Sequence, residues 1–181
     1  MTLVLALDVA TRTGFALGRV GEQPTFGSIR FGRSSTDDNV IFGAALDWTS
    51  RFLEPQPRPD LIVLEALLPP AAMGGRTTSA VRDRLAGLHG VIRAVASLRG
   101  VKKIEAHAVG DIRSHFIHDR KAKRDVAKRE TMRRCLQLGW NPLDDNAGDA
   151  LATWSYACSL IDPCLALRVV PLFMHGRGVA I

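Results

Sequence analysis

The chain has 181 residues, a mass of 19.7 kDa and a formal net charge of +6 at pH 7. With 46% hydrophobic and 23% charged residues it has the composition of one globular domain with a real core, which excludes a disordered chain. No apolar run reaches the length of a membrane span, and Met1 to Asp8 lacks the basic n-region of a signal peptide and runs straight into an acid, so a cytosolic protein is expected; a pI near 9.8 favours a polyanionic partner such as nucleic acid.

Thr2 to Leu7 alternates Leu and Val with small residues and stops at Asp8, the pattern of a buried first strand. Thr13 to Val20 and Phe26 to Phe31 are two further strands bounded by glycines, and their short connections predict an antiparallel meander. From Asp37 the period becomes helical, with Val40, Ile41, Ala44, Ala45, Trp48 and Phe52 on one face, until Pro55, Pro57 and Pro59 end the segment. Asp60 to Glu65 is a strongly apolar strand, expected to be buried on both faces. After a Pro- and Gly-rich loop, Val81, Leu85, Leu88, Ile92 and Val95 mark a second helix that stops near Gly100. Val101 to Ala106 reads as a fifth strand. The remainder reads as helices near Val109–Phe116, Lys123–Leu138 and Asp145–Leu160, with a domain over 1–161 and a C-terminal segment, 162–181, in which Leu167 to Val170 is a candidate strand. The order describes an α/β chain whose sheet begins antiparallel and continues through parallel crossovers.

Cys135, Cys158 and Cys164 show no zinc-knuckle spacing, and the first two fall in helical patterns as small core residues. His107, His115 and His118 are too scattered to form a ligand set and read as surface or strand-end residues.

The acids carry more information. Asp8 ends the first strand and Glu65 ends the fourth, while Asp145 and Asp149 open the last helix four residues apart and share one face. If the first and fourth strands are parallel neighbours, Asp8 and Glu65 stand together at their carboxyl ends, where open α/β sheets place their sites. Carboxylates so crowded repel one another unless a cation intervenes. Oxygen ligands without His or Cys suit Mg²⁺ or Mn²⁺, and two such ions about 3.5–4 Å apart serve in-line phosphodiester hydrolysis. Asp8 also fits an ordinary turn start, and Asp144 is the natural N-cap of the last helix. Asp149, inside that helix, is poorly explained by capping.

Leu5 to Asp8 with Thr11 and Thr13 to Ala16, then Asp60 to Glu65, then Asp144 to Ala152, resembles in order the acidic motifs of RuvC-like Holliday junction resolvases, the last motif being closest to the phage-type members. The resemblance runs from about Leu3 to Ala157. It implies an RNase H-like fold, with a five-stranded mixed sheet of three antiparallel and two parallel strands flanked by helices. It implies Mg²⁺-dependent cleavage of branched DNA, most naturally four-way junctions, by a homodimer whose interface uses the second helix. Asp8, Glu65, Asp145 and Asp149 become the metal-holding and catalytic acids, with two ions per site. The sequence departs from the bacterial pattern at Asn146, where an acid or His stands; Asn146 offers an amide oxygen without charge, and Asp145 is the more natural replacement. By the same resemblance, Arg113 and Lys123 are basic residues that assist cleavage.

Between Arg120 and Arg134 eight Lys and Arg face only Asp125 and Glu130. Part of this run is a solvated helix face, but it precedes the acidic helix and so flanks the site. Arg120, Lys121, Lys123, Arg124 and Lys128 are therefore candidate DNA contacts, with Lys123 and Arg124 at a helix start able to grip phosphate. Arg76 and Thr77 in the loop Met73 to Ser79 are further candidates, against a plain connection capped by Thr78 or Ser79. Three other functions fit parts of the sequence. One is a nuclease with a different substrate, such as an RNA–DNA hybrid, and the fold does not choose between that and branched DNA. A lobe of an actin-like ATPase shares the acid, Thr and Gly of Asp8 to Gly14, but that fold needs two lobes. A non-catalytic branched-DNA-binding module on the same fold fits the neutral Asn146.

Overall fold

The computed structural model describes residues 1–67 and 78–164. Its sheet is built on β1 (Leu3–Asp8), whose alternate side chains are apolar in both directions, so both faces must be covered. β1 pairs antiparallel with β2 (Arg12–Arg19), which pairs antiparallel with β3 (Thr25–Arg30). On its other side β1 pairs parallel with β4 (Leu61–Glu65), and β4 pairs parallel with β5 (Lys103–His107). The spatial order is β3-β2-β1-β4-β5, the meander followed by two parallel strands that the sequence predicts. The fifth strand begins two residues later than its apolar run. Gly100 has φ +80 and the Val101 amide still bonds the Ala96 carbonyl at 3.0 Å, so the chain is leaving a helix there.

Five helices cover the sheet: α1 (Asp38–Phe52), α2 (Ser79–Leu98), α3 (Val109–Ile117), α4 (Arg124–Gln137) and α5 (Asp145–Ile161). Val4 and Ala6 of β1 join one core layer with Ile112 and Phe116 of α3, Cys135 of α4, and Leu151 and Trp154 of α5. Leu5 and Leu7 join the other, with Ile41 and Ala45 of α1 and Leu88, Ile92 and Ala96 of α2. The period-2 alternation of one strand thus divides the molecule into two layers.

Each layer has its own aromatic cluster. Trp48 packs against Phe52 at 4.8 Å between ring centroids, with Phe15 at 5.2 Å from Phe52. In the opposite layer Trp140 lies 6.2 Å from Phe116 and 6.0 Å from Trp154. Cys135 and Cys158 are buried as expected of core thiols.

Asp37 caps α1 by accepting from the Asn39 amide at 2.8 Å, and α1 stops at Phe52 before the three prolines. Thr78 caps α2, accepting from the Val81 amide at 3.3 Å. The apolar stripe of α2 is core only in its later turns: Leu88 and Ile92 are fully buried, whereas Val81 remains 45% exposed. Among the described residues no helix is long and apolar enough to cross a membrane. Arg76, Thr77 and the candidate strand Leu167 to Val170 lie outside the described residues.

Candidate active site

Asp8 is the last residue of β1, and Leu7 is level with Leu64 of the parallel neighbour, so Glu65 ends β4 beside it. The chain must turn immediately to return as β2. Thr13, fully buried, holds that turn: its hydroxyl donates to the Ala10 carbonyl at 2.7 Å and accepts from the Ala10 amide at 3.2 Å.

The third and fourth acids arrive because α5 starts against the same turn. Gly14, the antiparallel partner of Asp8, packs so closely that a Cβ there would lie 1.9 Å from the Asn146 carbonyl oxygen. Only glycine permits the first turn of α5 to land opposite Asp8. Asp144 fixes the register of that turn as the N-cap. Its carboxylate accepts from the Ala147 amide at 3.0 Å and the Ser28 hydroxyl at 2.6 Å, and pairs with Arg12 at 2.8 Å. Burial opposes ionisation there, but Ser28, Ala147 and Arg12 together hold this carboxyl below the usual range.

The acids inside the site behave in the opposite way. Burial pushes Asp8 well above the ordinary carboxylate range, with Asp149, Glu65 and Asp145 adding repulsion and Lys128 relieving some of it. Glu65 is raised to about 7 by burial and by Asp149, against the nearby Arg113. Asp149 is raised to about 6, chiefly by burial; Lys128 opposes the rise, Asp145 adds to it, and Arg113 and Arg124 oppose it. Residues far apart in the chain therefore share one buried region whose acidic charge is only partly offset.

Basic groups surround it. The Lys128 ammonium contacts the Asp145 carboxylate, a link that spans α4 and α5. Arg113 lines a small cavity with Glu65 and Asp149 and donates to the Ala122 carbonyl at 3.2 Å. Lys123 is the exposed N-cap residue of α4, and Lys121 and Arg124 are exposed beside it. Arg120 is committed to an ion pair with Asp111. Asn146 directs its amide nitrogen at Asp145 at 3.4 Å.

One basic residue lies inside, and one sequence expectation needs correction. Within the basic run Arg134 turns inward: it is 6% exposed, and its Nε and one Nη have no hydrogen-bond partner among the described residues. His115 is not a surface residue. It is half-buried, hydrogen-bonded to Ser155 at 3.1 Å, and burial with the charges of His118 and Arg134 lowers it to about 4. Sequence reasoning also missed Arg12, Arg30 and Arg84, which line one groove with Asn146; they are scattered singly over three elements, so no local charge run marks them.

Comparison with solved structures bears on this arrangement. The T. thermophilus RuvC solved in complex with a Holliday junction substrate superposes with a TM-score of 0.67 at 13% identity, covering 89% of this chain and 96% of that one. The fold is RNase H-like. A second Thermus thermophilus RuvC structure gives 0.65 at 14% identity, over 88% and 96% of the two chains. The yeast mitochondrial Holliday junction resolvase Ydc2 gives 0.54 at 12% identity, over 93% and 85%. No protein-family profile and no curated protein matches the sequence. At these identities the likeness is one of fold, and it covers the RNase H-like sheet with its flanking helices.

A divalent cation fits the chemistry of this site. Hard oxygen donors converge on a buried region, and their ionisation is suppressed by mutual repulsion that a cation would relieve. Among the described residues, however, no three acids, His or Cys form a ready-made cage. Asp145 is instead engaged by Lys128.

Proposed function

We propose that this protein is a Mg²⁺- or Mn²⁺-dependent endonuclease that cuts branched DNA, with four-way junctions as its substrate. One observation carries the reading: Asp8, Glu65 and Asp149 come from distant parts of the chain to the carboxyl ends of β1 and β4, and each is raised by burial and by another of the acids. The site stands on a fold shared with a RuvC solved on a Holliday junction. Asp8, Glu65, Asp149 and Asp145 would hold two ions, with Asn146 as a neutral neighbour. Bound there, the ions would supply activation of water and stabilisation of charge on the phosphate.

The chain's own residues do the rest. Burial around Glu65 and Asp149 keeps their local dielectric low, which strengthens every charge contact to the phosphate. Arg113, beside both acids, is set to offset negative charge that develops on the cleaved group. Lys123, Arg124 and Lys121, exposed at the start of α4, offer phosphate contacts along the incoming strand. A homodimer would present two such sites to the two opposed strands of a junction, and the likeness of the acidic motif from Asp144 to Ala152 to phage-type members supports that subfamily.

The test is incubation of purified protein with an end-labelled four-way junction, with and without Mg²⁺. Symmetric paired nicks only with the metal are expected; intact junctions at saturating protein would overturn the reading. One observation favours a second function, junction binding without cutting. The Lys128 ammonium already neutralises Asp145. That function predicts tight binding and no nicks in the same experiment.

A further inference from the structure

On the β3 side of the acids lies an open groove of about 420 Å³ that no part of the catalytic reading uses. Its volume falls in the range of about 300–1,000 Å³ typical of small-ligand sites. Three arginines from three elements line it: Arg12 of β2, Arg30 of β3 and Arg84 of α2. Val81 and Leu85, on successive turns of α2, form an apolar wall, and Asn146 at the start of α5 connects the groove to the acids.

The three arginines are not equivalent. Arg84 is pinned by Asp38 at 2.5 Å and by the Ser34 carbonyl at 3.3 Å. Arg12 is held by Asp144 at 2.8 Å and bonds the Ser28 hydroxyl at 3.2 Å. Each of those charges already has its acid. Arg30 is exposed and has no ion-pair or side-chain hydrogen-bond partner among the described residues, so it leaves the groove with net positive charge. Guanidinium groups over an apolar wall suit a nucleotide unit, with phosphate to the arginine and sugar and base to Val81 and Leu85.

The placement favours a DNA strand over a free nucleotide. In the sheet order Arg12 of β2 and Arg30 of β3 stand on the meander side of β1, which ends at Asp8, and Asn146 at the start of α5 lines the same groove, so a strand leaving the acids on that side enters it. We infer that this groove is a strand-binding subsite for a nucleotide next to the scissile phosphate, with Arg30 as its phosphate contact. The inference rests on reading the protein as a DNA nuclease.

The experiment measures equilibrium binding of a four-way junction in EDTA over a series of salt concentrations. It compares wild type with Arg30→Ala, Arg30→Lys and, as a matched loss of one exposed charge on α1, Arg51→Ala. Arg30→Ala is expected to weaken binding about tenfold and to lower the salt slope by about one ion, with Arg30→Lys restoring most of the affinity and the melting temperature unchanged. Arg51→Ala should change neither affinity nor slope. An Arg30→Ala affinity and slope indistinguishable from those of Arg51→Ala would overturn the subsite. Because binding is read without metal, failure to nick would sink the nuclease reading and leave this measurement intact.

Discussion

Asp149 sits one helical turn after Asp145 and faces Asp8 and Glu65 instead of solvent, which a mid-helix acid would ordinarily seek. Replacing it by Asn keeps the shape and removes the charge. Cleavage by Asp149→Asn should fall by at least about 100-fold while junction affinity stays equal or rises, since one repulsive charge has gone. Equal loss of both would mean that this side chain supports the fold. The raised acids make a second prediction in the metal-free protein. Glu65 and Asp149 bind protons more tightly when folded, near 7 and 6 against 4.5 and 3.8 unperturbed. Their contribution to stability is therefore full below about pH 4 and lost as pH rises through 6 to 7. At pH 8 without metal, Glu65→Gln should be more stable than wild type by on the order of 2 kcal/mol, and the gain should vanish at pH 4. Chemical denaturation at the two pH values measures it.

At the scale of elements, the site depends on where α5 lands. Gly14→Ala would drive a methyl group into the Asn146 carbonyl, and the first turn of α5 would have to move. A loss of about 2 kcal/mol by denaturant midpoint, together with loss of cleavage, is expected. Retained activity with full stability would mean that the contact yields easily. This dependence marks how much the sequence discloses. Periodicity and terminators locate the five strands and five helices of the described residues, because apolar spacing and proline act locally. The resemblance to RuvC-like resolvases selects the acids. What neither discloses is tertiary pairing: that Lys128 contacts Asp145, that Arg134 turns inward, and that Arg12, Arg30 and Arg84 meet at one groove. Those depend on the rotation of α4 and on three elements converging, and no local pattern encodes either.

For the whole molecule, the arrangement predicts that metal and pH act on stability together. A divalent ion relieves the repulsion that protons relieve at low pH, so adding Mg²⁺ should raise the melting temperature at pH 8 and have little effect near pH 5. An equal shift at both values would point to metal bound away from these acids. Assembly is the other property of the whole. If two copies act on one junction, sedimentation should give twice the chain mass, and mixing wild type with Asp149→Asn protein should yield singly nicked junctions.

The division of the core into two aromatic layers gives the molecule two separate optical signals. Trp48 reports the side built on the first two helices, whereas Trp140 and Trp154 report the side that carries the last one. A Trp48→Phe protein would fluoresce only from the half that delivers Asp145 and Asp149. Its emission during cation titration would then register how that helix settles, with no DNA present.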